Sequence, residues 1–131
     1  MKRLLPILCC CLLLVGCARS EGETALVSIN VGKADCHLLY VGESLYMIDT
    51  GTVESWGMVS RALTILGIKH LDGVILTHTD KDHAGGIQAL ASSSVAVDAW
   101  YSSCYYTDVK ESKHPAVLAA AMRGEEVVWL Q

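Results

Sequence analysis

The stretch "THTDKDHAGG", residues 77–86, sets His78, Asp80, Asp82 and His83 within six positions, behind an apolar run and ahead of paired glycines. Three kinds of chemistry suit such a cluster. It could be a solvated polar loop, an acid/base pair in which His and Asp share a proton, or a metal centre. Imidazole and carboxylate are donors that zinc, manganese and iron accept. A dyad would need only two of the four groups, and a solvated loop gives no reason for the apolar run in front or the small Ala-Gly-Gly behind. A cation explains the whole density, because it relieves the repulsion and lost solvation of neighbouring polar groups.

Metal ligands must be aimed, so the elements around the motif matter. Residues 73–76, "GVIL", predict a buried strand that ends directly at the motif, and strand ends are rigid enough to hold ligands. Upstream, residues 26–31, 36–41 and 44–49 predict a three-stranded meander with a tight turn at Gly42 and Glu43. Met58, Val59, Ala62, Leu63, Ile65 and Leu66 recur at helical spacing, with Gly67 where the helix should stop. Downstream, "GGIQALAS" opens a further helix, residues 95–101 predict a strand, Pro115 starts an alanine-rich helix that ends at Gly124, and residues 126–130 predict a last strand. Strands alternating with helices after a meander predict an α/β sandwich with helices outside.

The front of the chain has a different character. Lys2 and Arg3 precede an apolar run of residues 4–15, a pattern that predicts a secretory leader too short to span a membrane. "LVGC", residues 14–17, resembles a bacterial lipobox, which implies that Cys17 is lipidated, that residues 1–17 are the signal and lipobox, and that residues 18–24 are a tether. The protein is then expected outside the cytoplasm, held to the bacterial membrane by lipid. With the leader gone only Cys36 and Cys104 remain unmodified, each a buried thiol or the two a disulfide. The whole chain, 131 residues with 10 basic and 14 acidic side chains, has net charge −4, and loss of Lys2 and Arg3 makes it −6. No basic cluster of the kind that grips a nucleic-acid backbone is present. Any phosphodiester substrate would need bound cations to supply the positive field.

"THTDKDHAGG" resembles the HxHxDH signature of the metallo-β-lactamase superfamily in the variant HxDxDH. Together with "INVGKAD" at 29–35 and "MIDTG" at 47–51, it is similar to the extracytoplasmic domain of ComEC-type DNA-uptake proteins and its free-standing relatives. The resemblance covers most of residues 25–131. It implies an αββα sandwich, only the first half of it present, with a metal site at the sheet edge. By the same resemblance His78 and Asp80 would serve one metal, and Asp82 and His83 a second, with Asp82 also catalytic. Asp35 and Asp49 would orient ligands by hydrogen bonding, although either could simply form a turn. The implied cofactor is zinc or manganese, two ions in the complete domain. The implied activity is hydrolysis by a metal-activated water, with a phosphodiester or DNA as substrate in the ComEC-like branch.

Two departures qualify that activity. Lys33 and Ala34 stand in "VGKAD" where the ComEC-type pattern usually reads Gly-Gln-Gly-Asp. The superfamily also takes further ligands, a later His and a bridging Asp, from a longer domain, whereas the chain ends at Gln131. His114, the only histidine after the motif, is expected as a helix-start or loop residue, Asp108 as a loop residue, and His37 and His70 as structural. Trp56, Trp100 and Trp129 are expected to pack in the core or at its rim in preference to stacking on bases. A truncated, non-catalytic remnant or membrane-anchored metal-binding module is therefore the alternative to an enzyme.

Overall fold

The structure, a computed structural model, describes residues 22–103 and 110–131. The readings of residues 1–17, of lipidated Cys17, of most of the tether, of Cys104 and of Asp108 lie outside the described residues.

The meander forms as the sequence predicts. β1 (Thr24–Ser28), β2 (His37–Val41) and β3 (Ser44–Ile48) pair antiparallel in that order. Val41 faces Ser44 across the Gly42-Glu43 loop, and Gly42 takes φ 58°, the left-handed value such a loop needs at its first central position. β1 starts two residues earlier than expected and stops short of Val31. Ile29 N still donates to Cys36 O (2.9 Å), but the chain then leaves the ladder, and Val31 turns into the core. The apolar character of "INV" comes from loop packing, which resembles a strand in sequence.

The rest alternates. α1 (Trp56–Ile65), β4 (His70–Leu71), β5 (Gly73–Leu76), α2 (Lys81–Ala84) and α3 (Ile87–Ala91) follow. β6 (Ala96–Val97), β7 (Trp100–Ser103), α4 (Pro115–Ala121) and β8 (Val127–Leu130) complete the order. β3, β5, β7 and β8 pair parallel, which gives a six-stranded sheet ordered β1-β2-β3-β5-β7-β8, while β4 pairs with β6 as a separate two-stranded piece. The run expected as one strand over 95–101 is thus two. The chain changes partner inside it: Asp98 N donates to Leu71 O (3.1 Å), and Val74 N donates to Ala99 O (2.9 Å).

Register builds the core. Leu38, Met47, Val74 and Trp100 stand side by side across four strands, all essentially inaccessible. Val59 and Leu63 of α1, Ile87 and Leu90 of α3, and Ala116, Ala119 and Ala120 of α4 belong to the same cluster. Each such Val, Leu or Ile contributes about 1.5–3 kcal/mol by leaving water. α1 ends where the sequence predicts: Gly67 has φ 67°, Ile68 N donates to Leu63 O (2.9 Å) and Gly67 N to Thr64 O (3.1 Å), which satisfies carbonyls the helix leaves over. Arg123 does this for α3, with Nε donating to Ala91 O (2.9 Å) and Nη2 to Leu90 O (3.2 Å), Ser93 O (3.1 Å) and Val95 O (2.8 Å).

The opposite sheet face is also apolar but less covered. Leu26, Val128 and Leu130 are exposed there, beside half-buried Leu39, Tyr46 and Tyr101. A mixed α/β architecture with helices on one face of its sheet is the first half of the expected sandwich. Among the described residues no helix is long and apolar enough to cross a membrane.

Candidate metal centre

β3 and β5 run parallel, so they end at the same sheet edge, and antiparallel β2 begins there. That edge gathers three loops: Asp35 ahead of β2, Asp49 behind β3 and residues 77–86 behind β5. Crevices at the carboxyl ends of parallel strands are where such sheets bind ligands. The loops are tied by their own backbones. Asp35 N donates to Asp82 O (3.1 Å), Gly51 N to Asp35 O (2.8 Å), Thr50 N to His83 O (2.7 Å) and Gly86 N to Gly51 O (3.1 Å). The paired glycines make this approach possible. A Cβ on Gly85 would sit 2.4 Å from Lys81 O and 2.7 Å from Thr52 Cα, and one on Gly86 would sit 2.4 Å from Thr50 O.

Asp49 is the pivot. Its φ is 56°, a left-handed value that aspartate tolerates better than most residues. The residue is 2% exposed, and a carboxylate so buried requires donors. It has three: Thr77 N on Oδ1 (2.8 Å), and Thr77 Oγ1 (2.5 Å) and His83 Nδ1 (2.9 Å) on Oδ2. The hydrogen bond that His83 donates to Asp49 is the main cause that raises the His83 pKa above its usual value; partial burial opposes it, and the charges of Asp49, Asp82 and Asp35 add to it. With the proton fixed on Nδ1, the lone pair of His83 is on Nε2, which lies 3.7 Å from Asp82 Oδ2. Asp35 Oδ2 is 3.7 Å from His83 Nδ1, and its Oδ1 is 3.5 Å from His37 Nε2.

His78 completes the group, its ring centroid 5.6 Å from that of His83. Asp80 N donates to His78 Nδ1 (3.1 Å), and Asp80 Oδ2 lies 3.3 Å from the same nitrogen. Nδ1 is thus the accepting nitrogen of the neutral ring, and the proton of that tautomer is on Nε2. The structure therefore brings His78, Asp80, Asp82 and His83 to one edge, with Asp35 and Asp49 beside them. Two imidazoles among partly exposed carboxylates, one ring already oriented by a buried aspartate, suit a borderline divalent cation.

The remaining candidates are elsewhere. His114 is buried at the start of α4, where Nδ1 accepts from Ala116 N (3.3 Å), Nε2 lies 3.4 Å from Ser102 Oγ, and the ring meets Trp129 edge-on. Helix start is correct; an exposed loop is not. Trp100 is in the core and donates from Nε1 to Glu125 Oε2 (2.5 Å). Cys36 is a buried free thiol, its pKa pushed up to about 12 by burial and by the Asp49 charge. Sequence reasoning missed Thr77, which holds Asp49, and Thr50, whose Oγ1 donates to His83 O (3.0 Å). The signal available was a threonine inside each of the two blocks, next to Asp49 and to His78.

A model of the metallo-beta-lactamase superfamily matches residues 29–106, more than half of the chain, and the chain belongs to that superfamily. Membership implies a divalent-metal site. The chain is 35% identical over 72 residues to competence protein ComA of Neisseria gonorrhoeae, an alignment covering 53% of this chain and 10% of that one. It is 33% identical over 94 residues to ComE operon protein 3 of Bacillus subtilis (strain 168), covering 56% of this chain and 12% of that one. These matches bear out the ComEC-type resemblance, and the chain spans about a tenth of the length of these relatives. Among solved structures, metallo-beta-lactamase SMB-1 bound to 2-mercaptoethanesulfonate is similar with TM-score 0.49 and 23% identity, over 62% of this chain and 30% of that one. Metallo-beta-lactamase DIM-1 is similar with TM-score 0.42 and 16% identity, over 83% and 52%.

Proposed function

We propose that this chain carries the metal-binding part of a hydrolase that cleaves phosphodiesters of the nucleic-acid type, held outside the cytoplasm by a lipid on Cys17. The observation that carries the reading is the meeting of Asp35, Asp49 and the 77–86 loop at one sheet edge, with His83 oriented by Asp49. Zinc or manganese, two ions in the complete domain, would be held by His78 and Asp80 on one side and by Asp82 and His83 on the other; such ions activate water and polarise the substrate oxygen. Asp49 keeps the His83 proton on Nδ1. Asp82, half exposed and 3.7 Å from His83 Nε2, would orient the water.

The net charge of −4 supports cations as the source of attraction for a phosphodiester. Likeness to competence proteins and the ComEC-type motif favour DNA over an amide or ester. The open apolar sheet face is where the second sheet of the sandwich would pack. One observation favours a second reading, a membrane-anchored metal-binding module without turnover. Lys33 and Ala34 stand ahead of Asp35, where the ComEC-type pattern usually reads Gly-Gln-Gly-Asp.

The test is hydrolysis of a generic phosphodiester and of single-stranded DNA with manganese or zinc. The reading expects metal-dependent turnover by the complete domain that His78→Ala or Asp82→Ala abolishes, with weak metal binding and little or no turnover by the 131-residue chain alone. Turnover unchanged in both variants overturns it, and metal binding by the complete domain without any turnover selects the module.

A further inference from the structure

We propose a second metal site on this chain, formed by His70, Asp72 and Asp98 at the sheet edge opposite the motif, for a first-row divalent cation such as zinc or manganese. One donor atom from each of the three residues lies within 4.8 Å of the other two. His70 Nε2 is 2.9 Å from Asp98 Oδ2. The residues come from three segments: His70 from β4, Asp72 from the step into β5, and Asp98 from the step between β6 and β7. This is the amino-terminal end of β5, so the cluster is separate from the 77–86 loop at its carboxyl end.

The frame around the three donors is fixed by the backbone. β4 and β6 pair with His70 opposite Ala96 and Leu71 opposite Val97, and Asp98 N donates to Leu71 O (3.1 Å). Asp72 is held twice by β3: its N donates to Leu45 O (2.8 Å), and its Oδ2 accepts from Leu45 N (2.7 Å). An outer partner that orients a carboxylate in this way is what metal ligands usually have. Two carboxylates and one imidazole repel or share a proton when alone. A divalent cation replaces that proton and neutralises both acids. The side chains of His70 and Asp98 are 51% and 62% exposed, so water can complete the coordination. Bound there, the ion would staple β4 and β6 to the start of β3.

The measurement is paramagnetic broadening of backbone amide signals by substoichiometric manganese in the full chain, held in detergent micelles. The expected result is two centres of broadening, one around 78–83 and another around 70–72 and 96–98. His70→Gln with Asp98→Asn should weaken the second centre by at least about tenfold in affinity and leave the first unchanged. These side chains are exposed and the replacements keep their bulk, so folding is preserved; Asp72→Asn, which retains an acceptor for Leu45 N, is the second variant and should weaken the same centre. Broadening confined to 78–83, or a second centre that persists unaltered in the variants, overturns the proposal and leaves His70 and Asp98 as an ordinary ion pair. Loss of broadening at 78–83 alone would instead count against the hydrolase reading.

Discussion

Asp49 Oδ2 stands 2.9 Å from His83 Nδ1, joining the end of β3 to the loop behind β5. The pair fixes which nitrogen of His83 carries the lone pair. Outer partners of this kind change metal affinity by about 10–100-fold. Asp49→Ala should therefore weaken binding by that factor, read by competition with a chelator, while circular dichroism tracks the fold. An unchanged affinity would mean that His83 is not a ligand.

Gly85 is pressed between Lys81 O and the backbone of residues 52 and 53. Gly85→Ala forces that backbone apart, and overpacking of this kind costs about 1–3 kcal/mol. Urea melts should show the loss. Metal affinity should fall with it, because the same contact holds the 77–86 loop on the Asp49 loop.

Burial holds the His114 pKa below the usual 6.5, with the nearby Glu111 charge opposing. In the window below 6.5 the unfolded chain binds more protons than the folded one, so this contribution is complete above that value and is lost as pH falls through it. His114→Asn keeps a capping side chain without the titration. The melting-temperature advantage of the wild type over this variant should shrink between about pH 7.5 and about pH 5.5. A constant difference would contradict a buried, neutral imidazole.

The Cys36 thiol, buried and pushed up to about 12, is neither accessible nor ionised near neutral pH. Folded protein treated with iodoacetamide at about pH 8 should stay unmodified at Cys36 and react there only in denaturant. Peptide mass spectrometry reads the site.

The meander, the alternation of strands and helices behind it and the strand that ends at residues 77–86 were legible, because each has a local pattern, and the candidate site stood out because His78, Asp80, Asp82 and His83 are dense in ligand types. What depended on distant partners was not legible. Ile29 and Val31 read as strand but pack from a loop; residues 95–101 read as one strand but change partner at Asp98. Met58, Ile65 and Leu66 share the helical spacing of Val59 and Leu63 yet lie exposed, since α1 presents Val59 and Leu63 to the core. His70 read as structural because nothing local announces that Asp98, far along the chain, will face it. Arg123 gave no sign of the four carbonyls it binds, since those belong to α3 and the chain behind it.

A cation held by imidazole and carboxylate groups where β5 ends is central to the proposed function. Elemental analysis of the folded full chain carrying His70→Gln and Asp98→Asn isolates that centre from the second one. We expect at least one zinc or manganese ion to be retained, and to disappear when His78→Ala and His83→Ala are added with circular dichroism unchanged. A folded protein with no ion, or an ion that survives those two replacements, would contradict it.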